Sequence, residues 1–418
     1  MNRAPVRKEN MSVPHRFLAG GALAAAALLA AGCASEADPG SSADAAESPS
    51  TTAEAPATTD IEPGSRIAVS LEGEVGVLDA ATLEIVGTFP TEDFTRVNPV
   101  GDGRHILVTT SEGFQVLDTA QPALTDTVFP ADAAGHVVRH DGRTVLFSDG
   151  WGETTIFDTN ALVDGGGAMP EVRQYESAAP HHGVSIVLSD GTLVTSVGTA
   201  DSRSGAVALE PHDDHYHELT RSDQCPEIHG EGTAAGEVAI FGCENGALLY
   251  KGGEFIKLDA PDEFGRMGNA YVSEESPVAI GDYKNDPDYE GYLLNNIAVI
   301  DTEAETYEVA NLGDVEFTWR GAGRGPGGMF YMLSTDGAIH EFDPATAEFT
   351  GDVFPVVAPW EGPADWQTPH PGMITAGDIA YVVDVDNERL VSVDLTTGEI
   401  LAEGETLPSF PNEIAVNL

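Results

Sequence analysis

Twelve histidines are spread through this 418-residue chain, and several recur at one place in a repeated phrase. His182 lies eight residues before Asp190, His229 eight before Glu237 and His370 eight before Asp378. His136 and His181 fall near the same point of their own units. Imidazoles converging from neighbouring repeats make a borderline-soft nitrogen site, which suits Zn²⁺ or Cu²⁺, with three or four ligands expected for zinc. Glu231, two residues after His229, shares its face of a strand and serves as a ligand or as a partner that orients one. The candidate ligands are therefore His136, His182, His229 and His370, with His181 and Glu231 ranked below them. A histidine near a loop is more often simply hydrogen-bonded, and repeat register alone is compatible with descent from a common unit. Most units lack the histidine, however, which argues against simple inheritance.

A second cluster is local: Pro211-His212-Asp213-Asp214-His215-Tyr216-His217-Glu218. If extended, it puts His215 and His217 on one face with Asp213, and His212 with Asp214 on the other. The cluster is expected at the hairpin joining the outer two strands of its blade, on the face opposite the channel histidines. Short His-rich tracts bind metals, so His212, Asp214, His215 and His217 form a second candidate cluster, against the alternative of a solvated acidic turn. Of three cysteines, Cys225 and Cys243 flank the His229 strand. In an oxidising compartment they are expected to pair as a disulfide, in preference to a thiolate zinc site.

These side chains need a scaffold of short strands. After Ser65 helical periodicity is scarce, and β-branched and aromatic runs alternate with Gly, Asp and Asn turns. One phrase recurs: a loose Gly-containing strand, an acidic-Gly turn, a hydrophobic strand, a strand ending in an acid, then another strand. Val100-Gly101-Asp102-Gly103, His105-Ile106-Leu107-Val108 and Phe114-Gln115-Val116-Leu117-Asp118 show it. Ala376-Gly377-Asp378, Ile379-Ala380-Tyr381-Val382 and Leu390-Val391-Ser392-Val393-Asp394 repeat it near the end. The first unit, from Arg66 to Pro90, has only three evident strands, and Asn412 to Val416 would supply the fourth. The expected fold is all-β: a single β-propeller over 66–418, with eight four-stranded blades of about 44 residues, or seven as the alternative. The C-terminal strand is expected to close the ring, and the histidines to sit at the mouth of the central channel, where innermost strands begin.

The N-terminus reads as an export signal. Arg3, Arg7, Lys8 and Arg16 precede a run from Phe17 to Ala31 of mostly Ala, Leu and Gly, too short to span a bilayer. Met11 offers an alternative start. Leu29-Ala30-Ala31-Gly32-Cys33 resembles the lipobox of bacterial lipoproteins, which implies a signal peptide over 1–32 and a lipid on Cys33. Residues 33–65 are Ala, Ser, Thr, Pro, Glu and Asp with few large apolar side chains, the composition of a disordered tether. The chain is then extracytoplasmic, held at the outer face of the cell membrane through the lipid alone. With 69 acidic against 19 basic residues the net charge is −50, and no basic patch is evident. Nucleic acid is excluded as a partner on that ground, and a monomer is expected.

Ala179-Pro180-His181-His182-Gly183-Val184, Cys225-Pro226-Glu227-Ile228-His229-Gly230-Glu231, Phe241-Gly242-Cys243 and Gly135-His136-Val137-Val138-Arg139-His140-Asp141-Gly142 together resemble the AztD-type zinc metallochaperones. The resemblance spans about 67–418. It implies an extracytoplasmic propeller, not an enzyme, that binds Zn²⁺ and passes it to the solute-binding protein of a zinc ABC transporter. By the same resemblance His136, His182 and His229 are the ligands carried over, whereas His370 rests on register alone. The family's His/Asp-rich flexible segment in an early blade is not found at 109–131, which contains no histidine. Either the cluster from His212 to His217 serves that capture role from a different loop or the role is absent. Two other readings stand beside this one. A metal-free propeller would act as a cell-surface binding scaffold, and a metal-dependent hydrolase would need Glu231 as its general base.

Overall fold

A computed structural model describes residues 61–213 and 215–418. The expected signal peptide, most of the tether, Cys33 and Asp214 lie outside the described residues. Among those described, no helix is long and apolar enough to cross a membrane.

Eight antiparallel four-stranded sheets form an eight-bladed β-propeller. Blade 1 is built from Arg66–Leu71, Glu74–Asp79 and Ile85–Pro90, with the C-terminal Ile414–Val416 as its innermost strand. Ile67 faces Val416, Ala68 faces Ala415 and Val69 faces Ile414, so the last strand closes the ring. The Gly64 N–H also donates to the Asn417 carbonyl (2.7 Å), tying the chain to the ring just before its first strand.

Each blade is covered on both faces, so its middle strands read as nearly continuous apolar runs rather than as half-polar alternations. The two-residue period decides which neighbour a side chain meets. Ile67, Val69 and Leu71 pack with Tyr381, Val383 and Leu390 of the preceding blade. Ala68, Val75 and Val77 pack with Val97, Ile106 and Val108 of the next. The closing strand divides in the same way, Val416 joining the first core and Ala415 the second.

The acid that ends the third strand of a repeat is a turn device. Asp79 Oδ1 accepts the amides of Ala81 (3.0 Å) and Thr82 (3.1 Å). Asp118 does this for Ala120 and Gln121, Asp301 for Glu303 and Ala304, and Asp394 for Thr396 and Thr397. A carboxylate holding two amides stabilises the tight turn into the outermost strand. These acids are therefore accounted for without a metal.

Three consecutive blades carry the histidines of interest. The innermost strands are Ala134–His140 in blade 3, Ser185–Val187 in blade 4 and His229–Ala234 in blade 5. Cys225 and Cys243 are bonded in blade 5, both fully buried. The bridge ties the chain just before the His229 strand to the end of the next strand, Val238–Cys243.

Candidate metal centre

Local backbone irregularity presents each imidazole to the channel. The pairing of Ala134–His140 with Arg143–Ser148 shifts between Ala134 and Val137, and the bulge carries His136. A second bulge lies between His229 and Glu231. Its extra residue, Gly230, has φ +62°, and a Cβ there would sit 2.6 Å from the Gly268 carbonyl oxygen. Such bulges re-aim side chains out of the regular pleat. His182 sits in the approach to its strand, beside Gly183, where a Cβ would collide with the Phe147 ring at 2.2 Å. Glycine is what lets this segment come close enough to complete the site.

The structure brings His136, His182 and His229 together at the channel mouth. His136 Nε2 lies 3.2 Å from His229 Nε2, which lies 2.9 Å from His182 Nε2. Every Nδ1 has an acceptor. His136 Nδ1 is 3.0 Å from Glu231 Oε1, His182 Nδ1 is 2.6 Å from Asp149 Oδ2, and His229 Nδ1 is 2.5 Å from the Gly268 carbonyl. A carbonyl can only accept, so His229 carries its proton on Nδ1. Carboxylates favour the same tautomer in the other two. Three Nε2 lone pairs then face one another, an arrangement that repels itself until a cation or proton enters. Tetrahedral zinc with bonds of about 2.0–2.1 Å separates its nitrogen ligands by about 3.3 Å, so the spacing and the donor set both fit zinc.

The surrounding groups reinforce this state. Asp282 accepts the amides of Gly268 (2.5 Å) and Asn269 (2.7 Å), fixing the peptide whose carbonyl holds His229. Burial, together with the neighbouring His136, His182 and Arg266, holds the pKa of His229 well below the ordinary imidazole value, so it stays neutral. Glu231 Oε2 is buried without a hydrogen-bond partner among the described residues. An unsatisfied carboxylate oxygen beside three imidazoles is a further mark of a site built for a cation. Access is through His182, whose side chain is 45% exposed against 15% for His136.

The tripod lines one side of a cavity of about 1040 Å³ in the channel. The other side carries Arg96, Arg320, Trp319 and Trp366 with Glu413. Arg96 and Arg320 both pair with Glu413 (3.0 and 3.1 Å), beside the closing strand. Their guanidinium groups also lie over the Trp319 ring.

Two expected residues are not part of this centre. His181 is buried, with Nδ1 2.9 Å from the Ala179 carbonyl and Nε2 2.9 Å from Ser196 Oγ. His370 is buried as well, its Nδ1 2.7 Å from the Thr368 carbonyl, and it does not reach the tripod. Pro180-His181-His182-Gly183 and Pro369-His370-Pro371-Gly372 explain the error in register. His370 is the counterpart of His181, each held by the carbonyl two residues earlier, and Pro371 stands where His182 does. The acid used as a reference mark is unreliable because the turn after the innermost strand spans 188–192 in blade 4 but only 377–378 in blade 8.

The sequence reading missed Asp149, the Gly268 carbonyl and Asp282. Asp149 stands in Ser148-Asp149-Gly150, indistinguishable there from an ordinary turn acid. The other two come from blade 6, which carries no histidine in this register.

The His212 cluster also differs from expectation. The three imidazoles share one side because the chain reverses between His212 and His215 and pairs those two residues. The cluster does lie at the expected hairpin between the outer two strands of blade 4. What does not hold is the extended geometry that sets His212 on the opposite face.

No family model matches the chain. Solved structures do match in fold. Apo AztD from Citrobacter koseri superposes with a TM-score of 0.69 at 20% identity, covering 84% of this chain and 96% of that one. A second structure of Citrobacter koseri AztD gives 0.67 at the same identity and coverage. The dihydro-haem d1 dehydrogenase NirN, in complex with DHE, is more distant at 0.58 and 12% identity, covering 86% and 76%. The eight-bladed ring thus has an AztD-like propeller fold, with three imidazoles from blades 3, 4 and 5 gathered at its mouth.

Proposed function

We propose that this protein is an extracytoplasmic zinc metallochaperone, anchored through a lipid on Cys33, that delivers Zn²⁺ to the solute-binding protein of a zinc ABC transporter. The observation that carries the proposal is the tripod: His229 Nε2 lies 3.2 Å from that of His136 and 2.9 Å from that of His182, the three ligand atoms fall within 4.8 Å of one another, and each ring is fixed from behind. The AztD-like fold supports it. His136, His182 and His229 bind the ion as cargo and leave its exposed side open. Delivery is then a ligand exchange, in which a donor from the acceptor enters beside His182 and the three imidazoles release in turn. Because the imidazoles are prearranged, the site holds zinc tightly without enclosing it, and the two requirements of a carrier are met together.

The test is transfer. Zinc-loaded protein is mixed with the metal-free solute-binding protein in the presence of a competing small-molecule chelator. Movement of zinc to the acceptor faster than zinc appears on the chelator alone supports direct delivery. Equal rates mean release to solvent and contradict it. Replacing Cys33 by Ala should move the protein from the membrane fraction to the soluble one. The hydrolase reading makes Glu231 a general base, but Glu231 Oε1 is already engaged with His136.

A further inference from the structure

The hairpin at the outer edge of blade 4 carries imidazoles that the channel site does not use. Its strands, Ser202–His212 and His215–Ser222, set His212 opposite His215, and His217 follows two residues later on the same face. The ring centroids of His212 lie 5.2 Å from those of His215 and 5.1 Å from those of His217, and the latter two are 4.7 Å apart. His215 Nε2 and His217 Nε2 are 3.1 Å apart, and one nitrogen from each of the three rings lies within 4.8 Å of the others. All three side chains are exposed.

The hairpin is braced next to its turn. Arg173 of blade 3 lies 4.7 Å over the Tyr216 ring and donates to the His215 carbonyl (3.1 Å). Tyr175 meets the same ring edge-on at 5.5 Å, and Arg221 pairs with Glu218 at 2.7 Å. These contacts fix the strand that carries two of the three imidazoles and set its register against blade 3.

We propose that His212, His215 and His217 form a second binding site for a borderline divalent transition metal, Zn²⁺ or Cu²⁺, on the outer rim of blade 4. Three imidazoles are suitable donors for these ions and poor ones for Mg²⁺ or Ca²⁺, which require oxygen ligands. The ion is reached directly from solvent. Among the described residues His217 Nδ1 has no hydrogen-bond partner, so this ring is less firmly oriented than those of the channel. Affinity is therefore about 10–100-fold below that of the channel site, the range over which orienting partners act, and exchange is correspondingly faster. This site does not rest on the channel reading, because it shares no residue with it.

The test is calorimetric titration of untagged, metal-stripped protein with ZnCl₂. A His182→Ala/His229→Ala variant should retain one weaker binding event. Adding His212→Ala, His215→Ala and His217→Ala should abolish it. The hairpin variant alone should keep the tighter event, so a failure of the channel reading would be seen separately, as its absence there. Circular dichroism checks the fold of each variant; the hairpin positions are exposed and tolerate the change. A weaker event that survives loss of the three hairpin histidines, or no event at all in the folded channel variant, overturns the proposal.

Discussion

The channel mouth and the blade 4 hairpin each gather three imidazoles, and they do so by opposite means. In the channel the residues come from three blades, His182 standing 46 positions after His136 and His229 47 positions after His182. Every ring there is backed by a carboxylate or a carbonyl, and one of those acceptors is itself fixed by Asp282. In the hairpin the residues are neighbours in sequence, exposed, and placed by a single turn. Proximity alone is therefore inexpensive to achieve. What long-range assembly adds is orientation: it decides which nitrogen faces the centre before any ion arrives, so that less ordering remains to oppose binding. On the two proposals made above, the channel holds an ion and the hairpin exchanges one.

The largest effect that separates the two regions is loss of channel ligands. His182→Ala/His229→Ala should weaken the tight zinc event on the order of ten thousand-fold, taking about 3 kcal/mol for each of two ligands from the overall strength of zinc sites. Calorimetry with a competing chelator reads this, and a change below tenfold would remove the distinction between channel and hairpin. Next is the disulfide. Its 18-residue separation corresponds to a loop whose constraint stabilises by about 3 kcal/mol. Denaturant unfolding of Cys225→Ser/Cys243→Ser should show that loss, and zinc titration should show weaker binding in the channel with the hairpin unchanged.

His370 provides a histidine with neither role. Burial lowers its pKa to about 4, against about 6.5 unfolded. The folded state thus binds fewer protons than the unfolded state between those values. Its contribution is complete above about pH 6.5 and is lost as pH falls toward 4, on the order of 3 kcal/mol in all. Denaturant midpoints measured from pH 7 to 4.5 should fall for the parent protein and fall less for His370→Phe. Parallel curves would contradict the assignment. The smallest effect is that of an orienting partner. Asp149→Asn should weaken channel binding about 10–100-fold while leaving the hairpin untouched, and equal loss at both would show that Asp149 acts on the fold as a whole.

Much of this molecule is readable from its residues because the repeat announces itself. The Asp that ends a third strand, the Gly turns and the apolar runs between them recur often enough to give the blade count and the closing role of Ile414–Val416. His136, His182 and His229 were also recognisable, being chemically distinctive residues at one end of an innermost strand. What could not be read depends on neighbouring blades or on turn geometry. Asp149 and the Gly268 carbonyl are ordinary groups until the ring places them behind an imidazole. His370 looked equivalent to His182 because distance was counted from an acid whose turn varies in length. The hairpin between the outer two strands of blade 4 is legible, but the facing of His212 is not, because a side-chain alternation that holds along an extended run does not carry across the turn between His212 and His215.

The central claim is that the channel tripod binds zinc through His136, His182 and His229. The most direct test is X-ray absorption at the zinc edge, on protein loaded with one equivalent in the His212→Ala/His215→Ala/His217→Ala background. Three nitrogen neighbours at about 2.0 Å with imidazole scattering, lost on adding His182→Ala/His229→Ala, are the predicted result. A zinc shell of oxygen alone, unchanged by those substitutions, would contradict it.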